Sequence, residues 1–349
     1  MTRAASTTSV KPRPARPAKK RHHYVPVTYL EGFTGSGGRL QVYRCDAGGD
    51  PLSLAPNNIA LENYYYSQMS PEGERDDHGL EDLFSAEVET HWPAARAAAR
   101  EDRLTPAIWA RLWVMLASLR ARVPAVRELI ETSLAAQVRM TVDRLDRSGK
   151  LPPMPPELQD VWSQIQVTID PQKSLEFIPQ FLQSANMLEP ALGFEVLHNR
   201  TGRPFITSDN PVSWFDPHVP EARRRPYYVN RADLRAELIF PIDSRTLLRG
   251  TNALRRRHAD RPTYRDITEE AVVRRLNRIT AQFAYRLVFC EDRSSDRLVA
   301  LYRDTSPVVR TDVRLLDHGD LLWMEMVFGR RPLLPKWRGA RDADPFDRV

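Results

Sequence analysis

Two adjacent histidines, His22 and His23, lead into Tyr24-Val25-Pro26 near the start of the chain. Imidazoles serve as proton shuttles and metal ligands near neutral pH. Neighbouring residues on a strand point to opposite faces, so a regular strand turns only one of the pair inward. We place His23 ahead of His22 as the working residue; a hydrogen-bonded core histidine is the other use of such a position. Far downstream, Thr207-Ser208-Asp209-Asn210-Pro211 follows a predicted strand. A carboxylate at a strand end, flanked by hydroxyl and amide groups, can hold a divalent metal or act as a general base. The same residues before a proline also build a turn by bonding their own backbone, which needs no ligand. Arg122 stands at a helix break before Val123-Pro124. Its planar fork suits a phosphate or carboxylate, or an ion pair that fixes helix against sheet. Glu81 and Glu89, two helical turns apart, share one face of an early helix. The candidate catalytic set is therefore His22, His23, Arg122, Ser208, Asp209 and Asn210. The candidate metal set is His23, Asp209 and Glu81 around a divalent ion.

The elements that position these residues can be read from periodicity and punctuation. Arg39–Arg44 alternates as a half-buried strand, and the aromatic run 62–66 reads as extended. Residues 80–100 form a helical region that Pro93 must interrupt. Thr105-Pro106 gives an N-cap with proline at the first helical position. Ile108, Leu112, Met115, Leu116 and Leu119 then make one apolar face. A second helix follows to about Asp146, the proline-rich stretch 151–156 reads as an exposed linker, and another helix occupies roughly 174–189. After Gly193 the pattern turns to strands. Segments 194–198 and 204–207 flank Asn199-Arg200-Thr201-Gly202 as a β-hairpin signature. Strands are also expected at 237–241, 246–249, 285–290 and 321–328. A helix over 267–283 is expected to start with Asp266 and Glu269 in a capping box. The fold class is α+β: a helical middle region packed on a mostly antiparallel sheet assembled from both ends of the chain. A basic tail at 1–20, one domain over 21–330 and a C-terminal tail at 331–349 complete the expected organisation.

Composition bounds the rest. The 349 residues are 42% hydrophobic and 28% charged. That is enough for a sizeable core without disulfide or metal staples. Cys45 and Cys290 alone read as reduced thiols, which points to the cytoplasm. The net charge of +6 is uneven: Arg3, Lys11, Arg13, Arg16, Lys19, Lys20 and Arg21 all precede the histidine pair, so the remainder is close to neutral. Such a tail is either a solvated arm or a contact for nucleic acid. No apolar run approaches the roughly 20 residues of a membrane span. Phosphate-binding Gly-Lys-Ser/Thr loops, Gly-rich dinucleotide fingerprints, nucleophile-elbow serines and zinc-finger spacings are all missing from the sequence.

Taken together, the motifs resemble a known family. His22-His23-Tyr24-Val25-Pro26, running on to Tyr29-Leu30 and Gly32-Phe33, is similar to the opening of the domain of unknown function 4238 family, a mainly bacterial one. Phe205-Ile206-Thr207-Ser208-Asp209-Asn210-Pro211-Val212 is similar to its second signature. Arg122-Val123-Pro124 resembles its helical Arg-Thr-Pro element, with Val in place of Thr. Phe240-Pro241 and Asn277 sit where that pattern places a Phe-Pro step and a helical Asn. The resemblance covers roughly residues 20–290. It implies an intracellular protein and a shared site around His22, His23, Arg122, Ser208, Asp209 and Asn210, and it supplies no activity.

Three functions remain open on the sequence. One is a metal-dependent hydrolase, a phosphodiesterase or nuclease of defence or toxin-like type. There Asp209, a histidine and Glu81 would bind the ion, Arg122 would neutralise phosphate charge, and the tail would steer toward nucleic acid. Another is a non-catalytic binding or sensor protein for an anionic ligand or nucleic acid, with Arg223–Arg225 and Arg255–Arg257 as further basic patches. The third is an internal polar network that fixes strand-to-helix packing. Burial without access favours the third, and an open polar pocket favours the first two.

Overall fold

A computed structural model gives the architecture; it describes residues 20–69, 75–152, 155, 165–229, 235–257, 261–314 and 321–331. The basic tail and the last residues of the chain lie outside these, as does part of the proline-rich stretch 151–156.

Helix α4, Pro106–Arg122, is the element on which both the core and the site are mounted. Thr105 caps it, its hydroxyl accepting the Ile108 N–H at 3.3 Å. Pro106 supplies a preset φ where no N–H is needed. Leu112, Met115, Leu116 and Leu119 are fully buried along it. Its end is written in the sequence: the residue before a proline avoids the α conformation. Val123 is accordingly extended at φ −77°, ψ 152°. Pro124 then opens helix α5, Pro124–Arg147. Upstream, helices α2 (Gly79–Glu87) and α3 (Trp92–Arg100) are separated by a single 3₁₀ turn at Glu89–His91. The break expected from Pro93 thus falls just before it, with the proline in the first turn of α3.

A five-stranded sheet lies at the centre, in the order β12 (Thr263–Ile267), β7 (Gly193–Asn199), β11 (Thr246–Thr251), β10 (Glu237–Pro241), β9 (Ser213–Phe215). All its pairs are antiparallel except β12 with β7. Alternation along the strands sends Phe194, Val196, Leu238, Phe240 and Leu248 to one face, where they pack with α3 and α4. Leu197, Ile239 and Leu247 go to the other face, against Val273, Leu276, Ile279 and Phe283 of helix α9 (Glu270–Phe283). A second, four-stranded sheet brings early strands together with later ones: β3 (Leu52–Leu54), β2 (Leu40–Arg44), β13 (Leu287–Cys290), β8 (Thr207–Ser208); the five-stranded sheet, by contrast, is drawn from residues 193–267 alone. The fold is α+β with mostly antiparallel sheets, as the sequence indicates. Among the described residues, no helix is long and apolar enough to cross a membrane.

Three local expectations give way. The 194–207 hairpin does not form, because β7 pairs with β11 and β12, and β8 with β13. The turn itself is built: Asn199 accepts the Thr201 N–H and donates to the Arg203 carbonyl. Beyond it the chain passes to the other sheet. Asp266 does not cap α9; it belongs to β12 and pairs with Arg200 at 2.9 Å, and Glu269 occupies the cap position without a side-chain bond. The extended run 62–66 stops at Asn63, the end of strand β4 (Leu61–Asn63), because Tyr64 takes φ +57°.

The family-like motifs meet in the core rather than at the surface. The buried Tyr29 hydroxyl lies 2.7 Å from Thr207 Oγ1 and donates to the Pro241 carbonyl at 2.8 Å. Its ring stacks on Phe240 and tilts against Phe33 and Trp92. Gly32 is required beside it: a Cβ there would sit 2.9 Å from the Asp243 Cβ. Asn277 of α9 accepts the Ile206 N–H and donates to the Pro204 carbonyl, fixing the approach to β8. Tyr29→Phe leaves Thr207 and the Pro241 carbonyl short of a buried partner, and should cost about 1–3 kcal/mol. Urea unfolding should show a lower midpoint at unchanged m-value.

Candidate functional site

The candidate residues divide into two neighbouring clusters separated by a wall of tyrosines, Tyr24, Tyr65 and Tyr66, whose successive rings are 5.5 and 5.0 Å apart.

The first cluster gathers His22, His23 and Arg122. Strand β1 (Arg21–His23) pairs with β4 and turns His22, not His23, fully inward. His22 Nδ1 accepts the Tyr66 N–H at 2.9 Å, and its ring stacks on that tyrosine. An accepting Nδ1 carries no proton, so the contact fixes the tautomer. The positive φ of Tyr64 turns the chain so that this N–H is presented. His23 is half-buried. Burial pulls its imidazole below the usual 6.5, with Arg21 and Arg122 acting in the same direction, against the Asn57 carbonyl and Glu89. It is therefore uncharged at neutral pH, and its buried Nε2 has no hydrogen-bond partner among the described residues.

Arg122 is fully buried. Nη1 donates to Glu89 Oε1 at 2.8 Å, and the guanidinium lies 4.8 Å from the centre of the Phe84 ring. Among the described residues its Nε and Nη2 have no hydrogen-bond partner. A buried guanidinium with two unsatisfied donors is destabilising unless a ligand or water completes it. The Tyr65 hydroxyl holds the Arg122 carbonyl at 2.9 Å, which sets where the last turn of α4 projects. Glu89 is the member that the sequence hides. It sits in the 3₁₀ turn after α2, off the helical face it was expected to share with Glu81, and its side chain reaches solvent. Glu81 remains close enough for its charge to act on Arg122 and Tyr66.

The second cluster is Ser208, Asp209 and Asn210, all buried. Asp209 accepts three backbone N–H groups, from Tyr285 at 2.9 Å, Arg286 at 2.8 Å and Leu287 at 3.1 Å. Ser208 Oγ accepts the Asn210 N–H, and Asn210 Nδ2 donates to the Phe283 carbonyl and the Tyr227 hydroxyl. This is the turn alternative expected from the sequence, extended into a latch between β8 and β13. Arg286 and Arg331 lie on Tyr285, at 5.1 and 4.8 Å from its ring centre. Burial pushes the Asp209 carboxyl up to about 7, outweighing the N–H donors of Arg286 and Leu287 and the charges of Arg286 and Arg331. Glu128 on α5 is likewise raised by burial to about 7, against the same two arginines.

Among the described residues no three His, Cys, Asp or Glu side chains are gathered to hold a metal, so His23, Glu81 and Asp209 do not form a ready shell. Asp209 in particular has both oxygens committed to backbone. The basic patches are also divided: Arg225 pairs with Glu325, and Arg224 lies over Phe215.

The family model described as "Protein of unknown function (DUF4238)" matches residues 21–294. The chain belongs to the DUF4238 family. No curated protein and no solved structure matches it. The DUF4238 match stops short of the C-terminal hairpin β14 (Ser306–Arg314) and β15 (Leu321–Gly329), and it encloses both clusters.

The two raised carboxyls set a pH dependence. A group whose folded value lies above its unfolded one stabilises most below the unfolded value, and that contribution is lost as pH rises through the folded value. Stability contributed by Asp209 and Glu128 should therefore fall between about pH 4 and 7. Glu128→Gln should remove one of the two contributions and flatten the loss, read as urea midpoints from pH 5 to 8. Asp209→Asn brings an NH₂ against three donors and should destabilise by roughly 1–3 kcal/mol at every pH.

Proposed function

We propose that the chain is a hydrolase of a phosphate-bearing ester, with His23, Glu89 and Arg122 as its working residues. The observation that carries this reading is the fully buried Arg122 guanidinium with two donors unsatisfied among the described residues, within electrostatic reach of a half-buried, uncharged His23 whose Nε2 is likewise unsatisfied there. An anion reaching Arg122 past His23 would take up those donors, and charge developing on its oxygens would be held by a preorganised cation. A neutral imidazole can accept a proton from attacking water. Glu89 holds Arg122 in place and returns charge toward His23, which makes it the positioning residue. A divalent ion, if used, would have to be recruited by His23 with Glu81 or Glu89 and completed by substrate. Phosphodiesters of nucleic acid are the first substrates to assay, since the basic stretch before His22 would attract them.

The Ser208–Asn210 turn supports a structural reading for that motif alone, because its carboxylate is already engaged by three N–H groups.

Turnover of bis(p-nitrophenyl) phosphate and of labelled DNA and RNA should be measured with Mg or Mn and with EDTA. His23→Gln should reduce the rate by roughly a hundredfold or more while shifting the unfolding midpoint little. Arg122→Lys should impair turnover more than folding, since lysine keeps the charge but loses the fork. A wild-type rate in His23→Gln, or no turnover of any ester, would count against the assignment.

A further inference from the structure

A pocket of about 650 Å³ opens at the opposite end of α4 from Arg122. The two ends are about 24 Å apart along the helix axis, at the usual rise of about 1.5 Å per residue. The volume is ample for a small-molecule site, which takes some hundreds of cubic ångströms. Trp109 forms its aromatic wall. The indole N–H donates to Glu189 Oε1 at 2.7 Å, so the ring plane is locked before anything binds. Phe194 supports it at 4.9 Å between ring centres, and Trp113 stacks behind at 5.9 Å, itself held by Asn186 at 3.1 Å. Leu104 and Leu192 add aliphatic surface.

The polar side of the pocket is basic. Arg255 and Arg261 line it, and its acidic group, Glu189, is engaged by the indole. Arg261 is exposed and makes no ion pair among the described residues. Arg255 is placed by close packing: a Cβ on Gly193 would fall 2.2 Å from the Arg255 backbone N, so only glycine lets helix α8 (Asn252–Arg257) settle on β7. The wall at Leu104 is fixed by a relay. Asp102, at φ +58°, lies 2.7 Å from His198 Nε2; His198 stacks on Tyr264; and the Tyr264 hydroxyl accepts the Leu104 N–H. The aromatic wall and the Leu104 edge are thus held in place, with cations at the other side.

We propose that this pocket binds a small planar aromatic molecule carrying one anionic group, its ring against Trp109 and its charge at Arg261. A nucleoside monophosphate and an aromatic carboxylic acid share that chemistry. The site is separate from the His23–Glu89–Arg122 cluster and does not depend on the reading given to it.

Isothermal titration of the full chain with AMP and with 2-naphthoate, each against its uncharged counterpart (adenosine and 2-naphthamide), tests this. At least one anionic probe should bind with a sub-millimolar Kd, and its uncharged counterpart at least tenfold more weakly. Arg261→Glu, a surface change, should weaken binding at least tenfold, and Trp109→Ala should abolish it. Binding of AMP alone assigns the nucleotide source, and binding of 2-naphthoate alone assigns the aromatic acid. No binding of either anion at millimolar concentration, equal binding of the uncharged probes, or an unchanged Kd in Arg261→Glu would overturn the proposal.

Discussion

The three backbone N–H groups held by the Asp209 carboxylate extend a strand that is otherwise too short to hold its sheet. β8 contributes only two register pairs with β13, Ser208 with Val288 and Thr207 with Phe289. Asp209 continues the edge by accepting N–H groups from the next residues back along the chain, 285–287. Backbone donors inside a protein must be satisfied, and here a side chain satisfies several at once. Asn210 closes the turn against the end of α9 through the Phe283 carbonyl. The segment that leads from α9 into β13 is thereby clamped from one side, and with it the orientation of Tyr285 and the two arginines lying on it. The four-stranded sheet that joins residues 40–54 to 207–208 and 287–290 is completed by this contact.

The tyrosine wall does the complementary task on the other side. Tyr65 passes constraint to α4 through the Arg122 carbonyl, and to α5 through Arg127, which donates to the Tyr65 carbonyl and lies 4.3 Å from its ring centre. Arg127 is satisfied by Ser174 and backbone carbonyls. Arg122 is not, though both arginines are buried near the same helix junction. That contrast is the ground on which Arg122, and not Arg127, is assigned to an anion in the proposed function. Satisfying both with local carbonyls would be the more stable arrangement, so the difference is informative about use.

The long elements were legible because their signals are local. Thr105-Pro106 and Val123-Pro124 bracket α4 by backbone chemistry that holds in any context. The 194–207 hairpin and the Asp266 cap failed because each local signal was overridden by pairing with distant chain: β11 and β12 for the first, Arg200 for the second. At the site, the histidine pair and Arg122 were visible by residue type and by the family pattern. Glu89 was not, since its role arises from a one-turn break after α2 and an ion pair with a residue 33 positions away. The Ser208–Asn210 motif was legible as a turn, while the N–H groups that occupy Asp209 were not, because they come from 76 to 78 residues downstream. Trp109, Phe194 and Arg261 could not have been grouped from sequence: a helix start, a strand and a loop edge carry no shared periodicity.

The contacts of Tyr29 have a consequence for how the chain is made. Its hydroxyl meets Thr207 and Pro241, which lie 178 and 212 residues later in the sequence. At a synthesis rate of roughly 5–20 residues per second, the N-terminal segment waits on the order of ten seconds or more before those partners have been translated. Throughout that interval Tyr29, Leu30 and Phe33, all destined for full burial, have no sheet to pack against. The Tyr29 contacts with Phe33 and Trp92 lie within the first hundred residues, whereas those that tie it to the sheets can be completed only once residues 207 and 241 have been made.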